Sequence, residues 1–199
     1  MTTVPQQTAS TAPAPQAGAR IRTAATIGLA GAALSLVGWP LMLSNPAEGT
    51  GLWYAGSAVG EVAMIGTLVL VLGLFAARET GAGATGRGFL ALWALGLAVL
   101  LVGGVQALIA GNPDTILFPI GGITATLAAL VSSIFIACNK RLAGSPRRWA
   151  PLAYGAGTIV TGFFQGEEHT LQVNLADLTN NLLMLLLAGA FYAGVRAAR

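Results

Sequence analysis

From Phe89 to Ala110 the chain runs without a charged residue: FLALWALGLAVLLVGGVQALIA. A stretch that long and that apolar matches a helix crossing the ~30 Å hydrocarbon core of a bilayer. Such stretches recur along the whole chain, and no ordinary soluble domain has room for them. Composition agrees. Charged residues make up 9% of the chain and hydrophobic ones 55%, whereas a soluble domain carries roughly a quarter charged residues. A transmembrane β-barrel would instead alternate polar and apolar residues in ~10-residue segments, a pattern absent here.

The apolar runs predict an all-α polytopic membrane protein with six transmembrane helices. The expected spans are Thr23–Leu43, Trp53–Ala77, Phe89–Ala110, Ile116–Cys138, Trp149–Gln165 and Asp177–Val195. Turn chemistry supports the cuts. Asn45-Pro46 with Gly49 and Gly51 closes the first run, Gly111-Asn112-Pro113-Asp114 the third, and Gly144-Ser145-Pro146 the fourth. Residues 1–22, rich in Thr, Pro, Ala and Gln, read as a disordered cytoplasmic tail. They lack the apolar core of a signal peptide, so the first run is expected to remain as a span.

Charge fixes an expected orientation. The ten basic residues are Arg20, Arg22, Arg78, Arg87, Lys140, Arg141, Arg147, Arg148, Arg196 and Arg199. With six spans all ten fall on one side, and the opposite loops carry Glu48, Asp114, Glu167, Glu168 and Asp177. Basic residues near span ends stay in the cytoplasm, which predicts N-in and C-in in a cell membrane, as for a bacterial inner-membrane protein. The net charge of +3 is thereby topological, and no nucleic-acid partner is expected. The environment is the lipid bilayer, with a homo-oligomer or a membrane partner left open. Cys138 is the single cysteine, so no intramolecular disulfide forms.

Polar residues at membrane depth are the candidates for function. Glu61 lies about two turns into the second span, where a carboxylate costs several kcal/mol unless paired or hydrated. Gly56 and Gly60 precede it at a spacing that admits a close partner helix. Gln106 lies near the outer end of the third span. Tyr154, Thr158, Thr161 and Gln165 share one face of the fifth, and Gly122, Thr126 and Ser133 lie along the fourth. Asn174, Asp177 and Asn181 fall on one face of an early-starting sixth helix, opposite a leucine face. Together Glu61, Gln106, Gln165, His169, Asp177 and Asn181 form the candidate polar or proton site, in the outer half. The set Gly56, Gly60, Gly122, Thr126 and Ser133 forms the expected packing faces.

Two chemical readings attach to Glu167-Glu168-His169. Carboxylate and imidazole suit a divalent metal, and a histidine beside acids suits a proton relay. A single histidine without a paired-ligand motif leaves the metal unassigned, and a solvated acidic loop accounts for the same residues. No nucleophile motif, phosphate loop, dinucleotide fingerprint or haem-attachment CxxCH occurs. No cofactor is expected, and an intramembrane enzyme is the weakest reading. The stronger ones are a small transporter or permease-like protein built around the outer polar site, and an interaction or regulatory subunit that packs against a partner through the GSAVG face.

Overall fold

The computed structural model describes residues 15–43, 46–163 and 171–197. The helices are α1 (Pro15–Leu43), α2 (Gly51–Ala76), α3 (Ala84–Ala110), α4 (Leu117–Cys138), α5 (Ala150–Gly162) and α6 (Leu171–Ala197). Two short 3₁₀ turns, Lys140–Leu142 and Pro146–Arg148, join α4 to α5. No strand occurs among the described residues. Helices α1, α2, α3, α4 and α6 are long and apolar enough to cross a membrane. The outward faces are apolar too: Ile109 is 82% exposed, Val37 68% and Val102 60%. A surface of that kind is covered by lipid rather than water.

Helices α3 and α6 start at Ala84 and Leu171, ahead of the expected Phe89 and Asp177, and two further boundaries differ from the sequence reading. Helix α1 starts at Pro15, so residues 15–22 are helix rather than tail. Proline suits a first helical turn, where its missing N–H has no partner to lose, and the following Gln-Ala-Gly-Ala-Arg contains no further proline. The fifth helix is the other. Described as 13 residues, α5 rises about 20 Å, short of a full span. Residues 164–170, where it was expected to end, lie outside the described residues.

Each helix packs on its neighbours in sequence, and α6 returns to pack on α1. The six therefore form a closed ring. Short connections make successive helices antiparallel, so every described Lys and Arg falls at one end of the ring, hereafter the basic end.

Small residues set how closely the ring draws together. Without a hydrophobic force between helices in lipid, association relies on packing and close backbone approach. At the α1–α2 seam Gly31 faces Gly66, and a Cβ on Gly31 would lie 2.7 Å from the Gly66 Cα. At the α3–α4 seam a Cβ on Gly96 would lie 2.5 Å from the Ala125 backbone nitrogen. Backbone cannot step aside as a side-chain tip can, so both sites require glycine.

The basic half of the ring is filled. Leu70, Val71, Leu74, Leu90, Ile136, Leu187 and Phe191 are all at most 2% exposed. Above them the Trp93 and Tyr154 rings stack with centroids 5.6 Å apart, linking α3 to α5 across the interior.

These seams yield a direct test. Gly31→Ala and Gly96→Ala each destabilise by about 1–3 kcal/mol through overpacking, read as a lower unfolding temperature in detergent micelles. Gly60→Ala and Gly122→Ala, where an added Cβ meets nothing within 4 Å, leave that temperature unchanged.

Candidate functional site

The acidic half of the ring is not filled. A cavity of about 930 Å³ lies there, lined by residues from all six helices. Its deep end is the Trp93–Tyr154 stack, and Asp177, Asn180 and Asn181 of α6 lie nearer the acidic end. The cavity exists because the residues turned inward are small. Gly38, Gly56, Gly60, Gly122 and Gly162 all belong to the lining, and a Cβ at Gly60, Gly122 or Gly162 would meet nothing within 4 Å.

One flank of the cavity is open. Leu130 and Ala129 of α4 pack against Gly155 of α5. Ile123, Leu127 and Leu130 share a helical stripe at i, i+4 and i+7, as do Gly155, Ile159 and Gly162. Toward the acidic end these stripes no longer meet. Ile123, Leu127, Ile159 and Gly162 line the cavity instead, with Ile123 62% and Leu127 54% exposed. The α4–α5 seam is closed at the basic half and parted at the acidic half.

Four of the five Ser and Thr hydroxyls in the lining are held by their own helices, Thr126 being the fifth. The hydroxyls of Ser35, Thr67, Thr158 and Thr161 each donate to a carbonyl of their own helix: Ala32 at 2.8 Å, Ala63 at 3.3 Å, Gly155 at 3.0 Å and Gly157 at 3.0 Å. Each hydroxyl has spent its proton on the backbone and keeps its lone pairs. Asn180 lines the same space, and its Oδ1 is buried with no hydrogen-bond partner among the described residues.

The expected site residues separate in space. Asp177 and Asn181 reach the cavity together. Glu61 does not line it. Its carboxylate lies on Gly104 of α3, in the space a side chain there would fill, and its Oε2 is buried without a partner. Gln106 is exposed, with its Oε1 accepting from the Thr115 hydroxyl at 3.0 Å, and it tethers the end of α3 to the start of α4. Gln165, Glu167, Glu168 and His169 lie outside the described residues. Among the described residues no group of three His, Cys, Asp or Glu side chains is placed to hold a metal ion.

The expected packing residues divide as well. Gly56 packs on Met42 of α1, and Ser133 is buried with its hydroxyl donating to Ala129 at 2.6 Å. Gly60, Gly122 and Thr126 line the cavity. They are turned inward, away from the surface that a partner subunit would meet.

A second polar cluster, absent from the sequence reading, closes the basic end. Glu79, in the α2–α3 loop, is 2% exposed and pairs with Arg147 of the α4–α5 connection. The Arg147 guanidinium also lies over the Phe191 ring of α6, 5.5 Å from its centroid. Asn139 donates to the Glu79 carbonyl at 2.7 Å, and Arg148 Nε to the Ala137 carbonyl at 2.5 Å. Burial pushes the Arg147 guanidinium down from its ordinary value, and the Glu79 charge and the ring face offset that cost. The one signal in the sequence was position: Glu79 is the sole acid on the side that holds every base.

No family model matches the sequence, and no curated protein or solved structure matches it either.

The clasp at the basic end is testable by a double-mutant cycle. Glu79→Ala leaves Arg147 buried without its partner and costs about 3 kcal/mol. Arg147→Ala costs a similar amount, and the double variant loses less than the sum of the two. Unfolding midpoints of the four proteins in the same micelle measure the coupling.

Proposed function

We propose that the protein is a small membrane carrier that takes up a small molecule in the central cavity. The observation that carries this reading is a space of about 930 Å³ bordered by every helix of the ring and filled by none of them. That volume lies within the range of small-molecule sites, ~300–1,000 Å³. The two ends of the ring support the same reading. One half is parted along the α4–α5 seam, and the other is packed shut and clasped by Glu79 and Arg147. A bundle closed at one end and accessible at the other matches one conformation of an alternating-access cycle.

In this reading the chain crosses a bacterial inner membrane six times, with both termini in the cytoplasm. Helix α5 belongs to the fifth crossing. The cavity then faces outward, on the side without Lys or Arg. A bundle with no catalytic constellation among its described residues and a large central void favours transport over intramembrane chemistry.

Cysteine accessibility tests both parts. Cys138 ends α4 and is exposed. A membrane-impermeant maleimide labels it in inside-out vesicles and not in right-side-out ones, while Ala47→Cys in a Cys138→Ser background gives the opposite pattern. The reversed result overturns the orientation. For carriage, Gly60→Cys in the same background reports on the cavity. A carrier exposes it to both sides in turn, so it is labelled in both vesicle types, more slowly from the basic side. Labelling from the acidic side alone, at all times and temperatures, identifies a one-sided binding protein instead.

A further inference from the structure

The polarity of the cavity is graded along the bundle axis. At the deep end its wall is aromatic, aliphatic and thioether, with Trp93, Tyr154, Leu97 and Met184. Nearer the acidic end, one stretch of α6 supplies Asp177, Asn180 and Asn181. Of the five Ser and Thr hydroxyls in the lining, only Thr126 does not already donate within its own helix. The described lining holds no Lys, Arg or His, and its one acid, Asp177, already has a partner within the chain. An ionic guest would therefore bring a charge that the wall does not balance, and burying such a charge is costly. The opening has a depth as well. Helix α4 starts at Leu117, so Ile123 and Leu127, at the edge of the parted seam, lie about 9 and 15 Å along its axis. In the six-crossing reading that depth is inside the hydrocarbon core, so the gap opens onto acyl chains. Phe163 borders the cavity from the α5 side and is 84% exposed, and Val160 beside it is 58% exposed.

From this combination we infer that the cavity takes its ligand from the bilayer through the α4–α5 seam, and that the ligand is a neutral amphiphile, an apolar body with an uncharged polar head such as a hydroxyl. The gradient inside the cavity runs the same way as that of the adjoining leaflet, polar toward the acidic end and apolar toward the membrane centre. An amphiphile therefore moves sideways through the gap without turning over. Its head stays level with Asn180 and Asn181, whose amides offer it donors and acceptors. Its body passes between Leu127 and Ile159 and comes to rest against the Trp93–Tyr154 floor, where methionine adapts to irregular apolar shapes. A fully polar solute would lose its water against rings and thioethers, and a plain hydrocarbon would strip water from the α6 amides without replacing it. A largely apolar wall with a small polar group at one place is the usual build of a small-molecule site.

This inference deepens the carrier reading and rests on it only for the cavity being a ligand site. The probe is a long-chain alcohol with a photoactivatable diazirine near the end of its chain, added to the protein in lipid nanodiscs. Illumination fixes it to what it touches, and mass spectrometry locates the adduct. Trp93 is 1% exposed and Met184 7%, so lipid on the outer surface does not reach them. The alcohol is expected to label both, and an excess of the plain alcohol to suppress that labelling. The matching alkyl sulfonate and alkyltrimethylammonium, which carry permanent charges, are expected to leave both unlabelled. Leu127→Cys with Ile159→Cys, in the Cys138→Ser background, places a thiol on each edge of the gap. Bridging them with a short bis-methanethiosulfonate stops the labelling of Trp93 and Met184, and reduction of the bridge restores it in the same protein. Leu127→Trp narrows the gap by bulk alone and slows the labelling, which keeps the test decisive if the double variant fails to fold. Adducts confined to lipid-facing residues such as Val102 and Ile109 overturn the inference. So does equal labelling by the charged probes, or labelling unchanged by both the bridge and Leu127→Trp. If the alcohol never reaches Trp93 or Met184 while Gly60→Cys is labelled from both sides, the inference fails and the carrier stands. If Gly60→Cys is labelled from one side only but the alcohol enters through the seam, the carrier fails and the site stands.

Discussion

Six helices closed into a ring leave a centre that must be dealt with, and this constraint governs the rest of the molecule. A vacant centre loses dispersion contacts along its whole length. The basic half solves the problem with bulk: Leu, Ile, Phe and Trp side chains meet in the middle, with Tyr154 stacked on Trp93 as the last layer. The acidic half does not solve it. There the same helices turn glycine, threonine and asparagine inward, and the space remains. That change of strategy happens within single helices. In α6, Phe191 and Leu187 fill the core while Asn181, Asn180 and Asp177 border the cavity. In α2, Leu74 and Leu70 give way to Thr67, Ala63 and Gly60. A gradient from large to small along each helix builds a vessel with a floor.

Such a vessel needs rigidity at the filled end, and the glycine seams and the clasp provide it by different means. Gly31 with Gly66, and Gly96 with Ala125, bring backbones into direct contact at fixed points along their helix pairs. Glu79 and Arg147 join loops that the helix pairs alone leave independent. The pair is buried, so its Coulombic gain is largely consumed by desolvation. Its effect is better described as selection of one arrangement of the loops over others. Removing one partner is costly because the other cannot return to water without moving the loop that holds it.

Much of this architecture was legible in the sequence. Uncharged runs located the helices, and the one-sided distribution of ten bases implied which ends lie together. Of Asn174, Asp177 and Asn181, which helical spacing put on one face of α6, the last two border the cavity, because periodicity reports which residues share a face. Periodicity does not report what that face looks at. Glu61, Gln106 and Asp177 lie in the same half of the bundle by chain position, and from sequence alone they formed one group. The ring order separates them: Glu61 turns to Gly104 in the α2–α3 seam, Gln106 turns outward to Thr115, and Asp177 turns inward. Glycines raised the same difficulty. Gly56 and Gly60 are one turn apart, chemically identical and both in the lining, yet a Cβ would run into Met42 at Gly56 and meet nothing within 4 Å at Gly60. The distinction lies in the neighbouring helix, which no local pattern encodes. Glu79 was missed because its meaning is relational: it is ordinary as a residue and unusual only as the one acid among the bases, opposite an arginine 68 positions later in the chain.

The same relational logic separates two explanations for the acidic end. In the proposed topology the acidic end is the outer one, and a lack of Lys and Arg there follows from that topology alone, since the outer side excludes bases whatever the protein does. Acids in those loops, Glu48 and Asp114 included, therefore carry no message about a ligand. Asp177 is different because topology does not require a carboxylate in the wall of a cavity. Nor does topology require that Ser35, Thr67, Thr158 and Thr161, on three different helices, border one space with their protons held by their own backbones. A threonine back-bonded to its own helix is commonplace; four such hydroxyls bordering one cavity beside a buried amide oxygen without a partner among the described residues are not a consequence of where the helices end.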